Sequence, residues 1–110
     1  MTKTKTKICV CGCTFRRPDG LRDLIASYKT IITPKDADLS FVIIDNDVTP
    51  SSQIQVETAA GDFPWPLRYV HEPDAGIPIA RNRALTAAGR EGYVVFVDDD
   101  ETVTPTWLSE

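Results

Sequence analysis

"YVVFVDDDE", residues 93–101, is the stretch on which the fold turns. An apolar, β-forming run drives directly into three aspartates and a glutamate. A strand that is apolar on both faces belongs in a sheet covered on both sides. Adjacent carboxylates repel one another and raise each other's pKa unless a cation sits among them. The stretch therefore reads as a buried strand whose C-terminal end carries charge for a purpose.

Working back along the chain, three more segments read as strands: "KICVCGCTF" (7–15), "LSFVIIDND" (39–47) and "LRYVHE" (67–72). Helical patterns separate them. Over 18–32, Leu21, Leu24, Ile25, Tyr28 and Ile32 recur at steps of three and four, which predicts an amphipathic helix. Over 49–61, Thr49 suits the N-cap, Pro50 the first helical position and Gly61 the stop. "FPWP" (63–66) is held extended by its prolines. Over 73–89, Ile77, Ala80, Ala84, Leu85 and Ala88 share one face, with Pro78 in the first turn and Gly89 at the end. A last helix is expected over 104–110, from Thr104 as N-cap and Pro105 as first residue. Strand–helix alternation with near-continuous apolar strands predicts an α/β fold, a parallel sheet with helices on both faces. Residues 93–100 are expected as its fourth, central strand. A helix start that meets Glu110 within about one turn predicts that the 110 residues are one domain of a longer protein.

Composition narrows the function. The content is 42% hydrophobic and 25% charged, as in ordinary globular domains. A net charge of −4 argues against a nucleic-acid surface. The only basic run is "MTKTKTK", with Lys3, Lys5 and Lys7, and no signal-peptide core follows it. A cytoplasmic location is expected, compatible with peripheral association with a membrane. Cys9, Cys11 and Cys13 alternate along one strand face. That spacing is wrong for a structural zinc site and poor for a disulfide, so free, reduced thiols are expected.

Chemistry should collect at the carboxyl ends of the strands, near the point where strand order reverses. The first strand delivers Thr14, Phe15, Arg16 and Arg17 there. The second delivers Asp45, Asn46 and Asp47, the third Glu72, Asp74 and Gly76, and the next helix Arg81. The fourth delivers Asp98, Asp99 and Asp100. Carboxylates in this number suit a hard divalent ion. On an extended chain Asp98 and Asp100 would be roughly 6–7 Å apart. One would then ligate the metal and the other accept hydrogen bonds from the ligand, unless the strand bends. Asp99 points to the other face and reads as a turn or cap acceptor. Asp45 has two readings, as acceptor for a base ring N–H or as an Asx turn after the strand. Asp47 reads as a turn former, and Arg81 as either a phosphate contact or a surface ion pair. Arg16 and Arg17 read as solvated charges, and Phe63 and Trp65 as packing. His71 is the only histidine. It leaves no material for a Ser/His/Asp triad, and it reads as a packed strand-end residue. There is no GxGxxG and no Walker A motif.

The pieces "VCGCTFRRPDGLRDLIASY", "FVIIDND", "RYVHEPDAGIPIARNRAL" and "YVVFVDDDETVTPTWL" together resemble the N-terminal half of a family-2 glycosyltransferase. The resemblance implies the Rossmann-like half of a GT-A fold, with "DDD" in the place of the DxD motif. It implies a UDP-, dTDP- or GDP-sugar donor and Mn²⁺ or Mg²⁺. By position, Thr14, Phe15 and Arg17 would line the nucleotide pocket, Asp45 would meet the base and Arg81 the nucleotide. Asp98 would face the ribose or sugar, and Asp100 would bind the metal. Asp47 and Asp99 are counted with the donor site. "DND" departs from the aspartate pair followed by Gly-Ser of many relatives, which leaves the roles of Asn46 and Asp47 open. The implied reaction is inverting transfer to an acceptor hydroxyl. The base is expected beyond residue 110, so that this chain alone would be inactive, and apolar surface left uncovered would favour self-association. A non-catalytic nucleotide- and metal-binding module is the alternative. A receiver-like domain fits less well, because such domains put their acid pair after strand one, where this chain has Cys11, Gly12 and Cys13.

Overall fold

In a computed structural model, described here over residues 6–89 and 92–109, two long parallel strands form the centre of the sheet. They are β1 (Thr6–Thr14) and β2 (Ala37–Asp45). Lys3, Lys5 and Glu110 lie outside the described residues. β3 (Leu67–His71) adds beside β2, and β4 (Tyr93–Asp98) beside β1, all in parallel. The order is β3-β2-β1-β4. The connecting helices are α1 (Pro18–Tyr28), α2 (Gln53–Ala60) and α3 (Ile77–Ala88). A 3₁₀ turn, Trp107–Ser109, follows.

The period-two alternation of the strands splits the core into two layers. Val10, Leu39, Phe41 and Ile43 pack with Leu21, Leu24, Ile25 and Tyr28 of α1 and Val56 of α2. Phe41 gathers the rings of Tyr28, Phe63 and Trp65 at centroid distances of 4.8, 5.0 and 5.3 Å, so both FPWP aromatics are packing residues. On the opposite face Cys9, Cys11, Val42 and Ile44 meet Ala80 and Ala84 of α3. The three thiols are free, as expected from their spacing, with Cys9 and Cys11 buried and Cys13 half-buried. Gly12 lets α1 lie close to the sheet: a Cβ there would come within 3.1 Å of both Ile43 Cδ1 and the Tyr28 hydroxyl.

Several boundaries differ from the sequence reading, each for a local reason. β4 is an edge strand among the described elements and not central, because the chain returns through α3 to the far side of β1. α1 stops at Tyr28, where Thr30 and Ile31 switch to i−3 carbonyls; Ile31 is buried instead of Ile32. α2 begins at Gln53, with Ser52 and not Thr49 at its N-cap. Pro50 lies in the preceding turn, and the Asp45 carboxylate holds the Ser52 N–H. α3 starts at Ile77 and buries only its small residues, leaving Ile77 and Leu85 exposed. The last segment forms only the 3₁₀ turn, with Trp107 N–H donating to the Thr104 carbonyl. No described helix is long and apolar enough to cross a membrane.

Candidate functional site

β1 is the strand at which the order reverses, with β2 and β3 laid down on one side and β4 on the other. Ligand crevices open at such a reversal, outside the carboxyl ends of the strands. A cleft of about 410 Å³ lies there. Cys13, Thr14 and Phe15 form one wall and Asp98, Asp99 and Asp100 the facing one. The start of α3, with Gly76 and Ile77, closes a third side. A cavity of about 470 Å³ at the opposite sheet edge, among Lys7, Asp38 and Pro66, has no comparable group of acids.

β4 ends at Asp98 and the chain turns at once. Glu101 N–H donates to the Asp98 carbonyl at 3.1 Å, and the Glu101 carboxylate accepts the Asp98 N–H at 2.9 Å. This tight turn brings carboxylate oxygens of Asp98, Asp100 and Glu101 within 4.8 Å of one another. The separation that an extended chain would impose on Asp98 and Asp100 therefore does not apply. Glu101 had no assigned role from the sequence; its signal is the i to i+3 approach of a β-turn. All three acids are exposed, and among the described residues the salt bridges at this edge go to Asp47 and Asp99 instead. Three converging oxygen donors without a paired cation suit Mg²⁺ or Mn²⁺.

Asp99 turns the other way. Its Oδ2 accepts from Thr14 Oγ1 at 3.1 Å and from the Phe15 N–H at 3.2 Å. Arg17 Nε stands 3.7 Å from its Oδ1. A Cβ on Gly20, in the first turn of α1, would run into the Asp99 carbonyl, so this glycine lets α1 close against the acidic turn.

The end of β2 is held by a dense set of hydrogen bonds. Asp45 is buried, with Oδ1 accepting the Asp47 N–H at 3.2 Å. Its Oδ2 accepts the Ser52 N–H at 2.9 Å and the Tyr69 hydroxyl at 2.6 Å. Of its two sequence readings, these bonds describe the turn, and in this conformation no part of Asp45 is open to a base. Burial and this bond push the Tyr69 hydroxyl above its usual pKa. Asn46 ties down the loop before α3: Nδ2 donates to the Glu72 and Asp74 carbonyls at 2.9 and 2.8 Å, and Oδ1 accepts the Gly76 N–H. Asp47 accepts from Arg16 Nε at 3.1 Å and from Ser51 Oγ at 2.9 Å. The Arg16 bond, with help from Ser51, holds its carboxyl at about 2. His71 Nε2 lies 2.8 Å from the Asp47 carbonyl oxygen, a strand-end role. Arg16 and Arg17 are thus ion-paired and not merely solvated. Arg81 lies 5.5 Å over the Phe96 ring, outside the residues that line the cleft. Burial, and then Asp98, push the Cys13 thiol up.

An open parallel sheet with its cleft at the order reversal and an acidic turn on the cleft wall defines a Rossmann-like domain of the GT-A type. The chain belongs to glycosyl transferase family 2, whose sequence profile matches residues 9–110. It is 38% identical over 97 residues to the succinoglycan biosynthesis protein ExoM of Rhizobium meliloti (strain 1021), covering 88% of this chain and 31% of ExoM. It is 33% identical over 84 residues to the uncharacterized glycosyltransferase YibD of Escherichia coli (strain K12), covering 76% of this chain and 24% of YibD. The chain thus spans less than a third of the length of either relative. The fold is shared with the mannosyltransferase PcManGT of Pyrobaculum calidifontis in complex with GDP-Man and Mn²⁺, at a TM-score of 0.79 and 22% identity over 96% of this chain and 33% of that one. It is also shared with S. aureus TarS 1-349 in complex with UDP-GlcNAc, at a TM-score of 0.73 and 20% identity over 94% of this chain and 29% of that one.

Proposed function

We propose that this chain is the donor-binding part of an inverting glycosyltransferase that takes a sugar from a UDP-, dTDP- or GDP-sugar. The observation that carries the reading is the acidic turn whose Asp98 and Asp100 face Thr14 and Phe15 across the cleft, with the Glu101 carboxylate converging on both. In this reading Phe15 offers an exposed ring to the nucleotide, with Thr14 beside it. Asp98 accepts from sugar or ribose hydroxyls. Arg81, exposed in the first turns of α3, turns toward the phosphates. Asp100 and Glu101 would hold Mn²⁺ or Mg²⁺, which when bound supplies charge stabilisation to the departing diphosphate. Asp45, Asn46 and Asp47 hold the rim, and Arg17 serves through Asp99. The acceptor hydroxyl attacks the anomeric carbon opposite the diphosphate. The bond to the diphosphate oxygen breaks with its electron pair, and the hydroxyl proton passes to a carboxylate base. We place that base beyond residue 110, because the acids of this edge serve the donor or the fold. The reduced thiols favour the cytoplasm as the site of the reaction.

Calorimetric titration with UDP, dTDP, GDP and ADP, with and without Mn²⁺, tests the reading. Metal-dependent binding of one of the first three, weakened at least about tenfold by Asp100→Asn, is expected, since a lost charged ligand exceeds about 1.4 kcal/mol. Equal, metal-independent binding of all four, or binding of none by folded protein, would overturn it.

A further inference from the structure

We propose that Asp99, the middle acid of the triplet, is a positioning residue that sets the distance between the two walls of the cleft and touches neither donor nor cation. The inference rests on the donor-cleft reading above and adds a division of labour within it. Asp98, Asp100 and Glu101 are exposed, whereas the Asp99 side chain is only 14% exposed and both its oxygens are engaged. Its partners, Thr14 Oγ1, the Phe15 N–H and Arg17, all belong to the end of β1 and the connection to α1, the side of the other wall. Thr14 is itself fixed to β2, because its carbonyl accepts the Asn46 N–H at 2.9 Å. Asp99 extends that line of bonds from β2 through β1 to the turn at the end of β4. Arg17 offsets its charge, so Asp99 does not add to repulsion among the converging Asp98, Asp100 and Glu101. Without this tie, the turn and Phe15 would move independently, and a ligand spanning both would have to order them on binding.

The test compares Asp99→Asn, Asp99→Ala, Thr14→Val and Asp100→Asn in the intact protein. It measures the affinity for Mn²⁺ alone, and for UDP, dTDP and GDP with saturating Mn²⁺. Asparagine still offers an oxygen to Thr14 and Phe15, so Asp99→Asn should stay within about threefold of wild type for nucleotide. Asp99→Ala should weaken nucleotide binding by about tenfold while leaving the affinity for Mn²⁺ alone unchanged. Adding Thr14→Val to Asp99→Ala should cause little further loss, because both remove the same tie. If Asp99→Ala does not fold, Thr14→Val, which removes one bond to the same oxygen, should show a smaller loss of the same kind. Weakened binding of Mn²⁺ alone by Asp99→Asn, as for Asp100→Asn, would make Asp99 a ligand and overturn the inference. Wild-type nucleotide affinity in Asp99→Ala or Thr14→Val would also overturn it, while leaving the donor reading intact. A wild-type protein that binds none of UDP, dTDP and GDP defeats the donor reading, and this inference with it.

Discussion

Tyr69→Phe removes one hydroxyl and otherwise preserves the shape of the side chain. That hydroxyl donates at 2.6 Å to the buried Asp45 carboxylate, whose other partners are the Asp47 and Ser52 N–H groups. A hydrogen bond to a charged group contributes about 2 kcal/mol, and no compensating partner for Asp45 is at hand. With a urea m-value of about 1.5 kcal/mol/M, the midpoint should fall by about 1.3 M at unchanged slope. Asp45→Asn should be worse, near 3 kcal/mol, because its amide NH₂ would face a backbone donor. The double variant should be less destabilised than the sum of the two by about 1 kcal/mol, the mark of a direct contact. The assay is urea unfolding followed by circular dichroism, with the UDP-to-GDP affinity ratio as a control that should not move. A Tyr69→Phe midpoint equal to wild type, or strict additivity, would refute the view that this bond anchors the end of β2. A changed nucleotide ratio would instead bring Asp45 into contact with the base.

Acid stability should depend on Arg16. Asp47 is held at about 2, below about 3.9 for an unfolded chain, so its ionised form stabilises the fold fully above about pH 4. That contribution is lost as pH falls toward 2. Arg16→Ala should flatten the fall in urea midpoint between pH 5 and 2.5, and a slope equal to wild type would contradict it. Tyr28 presents the opposite case, a buried hydroxyl with no hydrogen-bond partner among the described residues. Tyr28→Phe should raise stability by about 1 kcal/mol, or roughly 4–8 °C in a calorimetric scan, and a decrease would expose a hidden partner.

β1 and β2 were legible because both faces of each are apolar, and the α1 stripe of Leu21, Leu24, Ile25 and Tyr28 is indeed buried. Pro78 falls in the first turn of α3, as its sequence predicts, but the start of α2 was not legible. Its proline signal pointed upstream, whereas the Asp45 carboxylate captures the backbone N–H of Ser52, 7 residues away. Local patterns cannot report such tertiary bonds. The place of β4 at the edge of the described strands was hidden for a similar reason: its apolar run is as strong as that of a central strand. At the site, the gathering of Thr14, Phe15 and the three aspartates at one edge followed from the strand ends alone. Glu101 was not legible because extended-chain spacing does not describe residues that lie in a turn. The hydrogen-bond partners of Asp99 lie 84 and 85 residues away, and no spacing rule connects them.

The central claim is that a divalent cation and a nucleoside diphosphate meet at the acidic turn. Substoichiometric Mn²⁺ with UDP or GDP, added to ¹⁵N-labelled protein, tests it by paramagnetic broadening of backbone amides. The amides of Asp98, Asp100 and Glu101 should broaden first, followed by those of Thr14 and Phe15. Ile8 and Leu39 line the cavity at the opposite edge, roughly 17 Å away for five residues of parallel strand, and should stay sharp. Broadening that begins at Ile8 and Leu39, or that spreads evenly over the chain, would contradict the account.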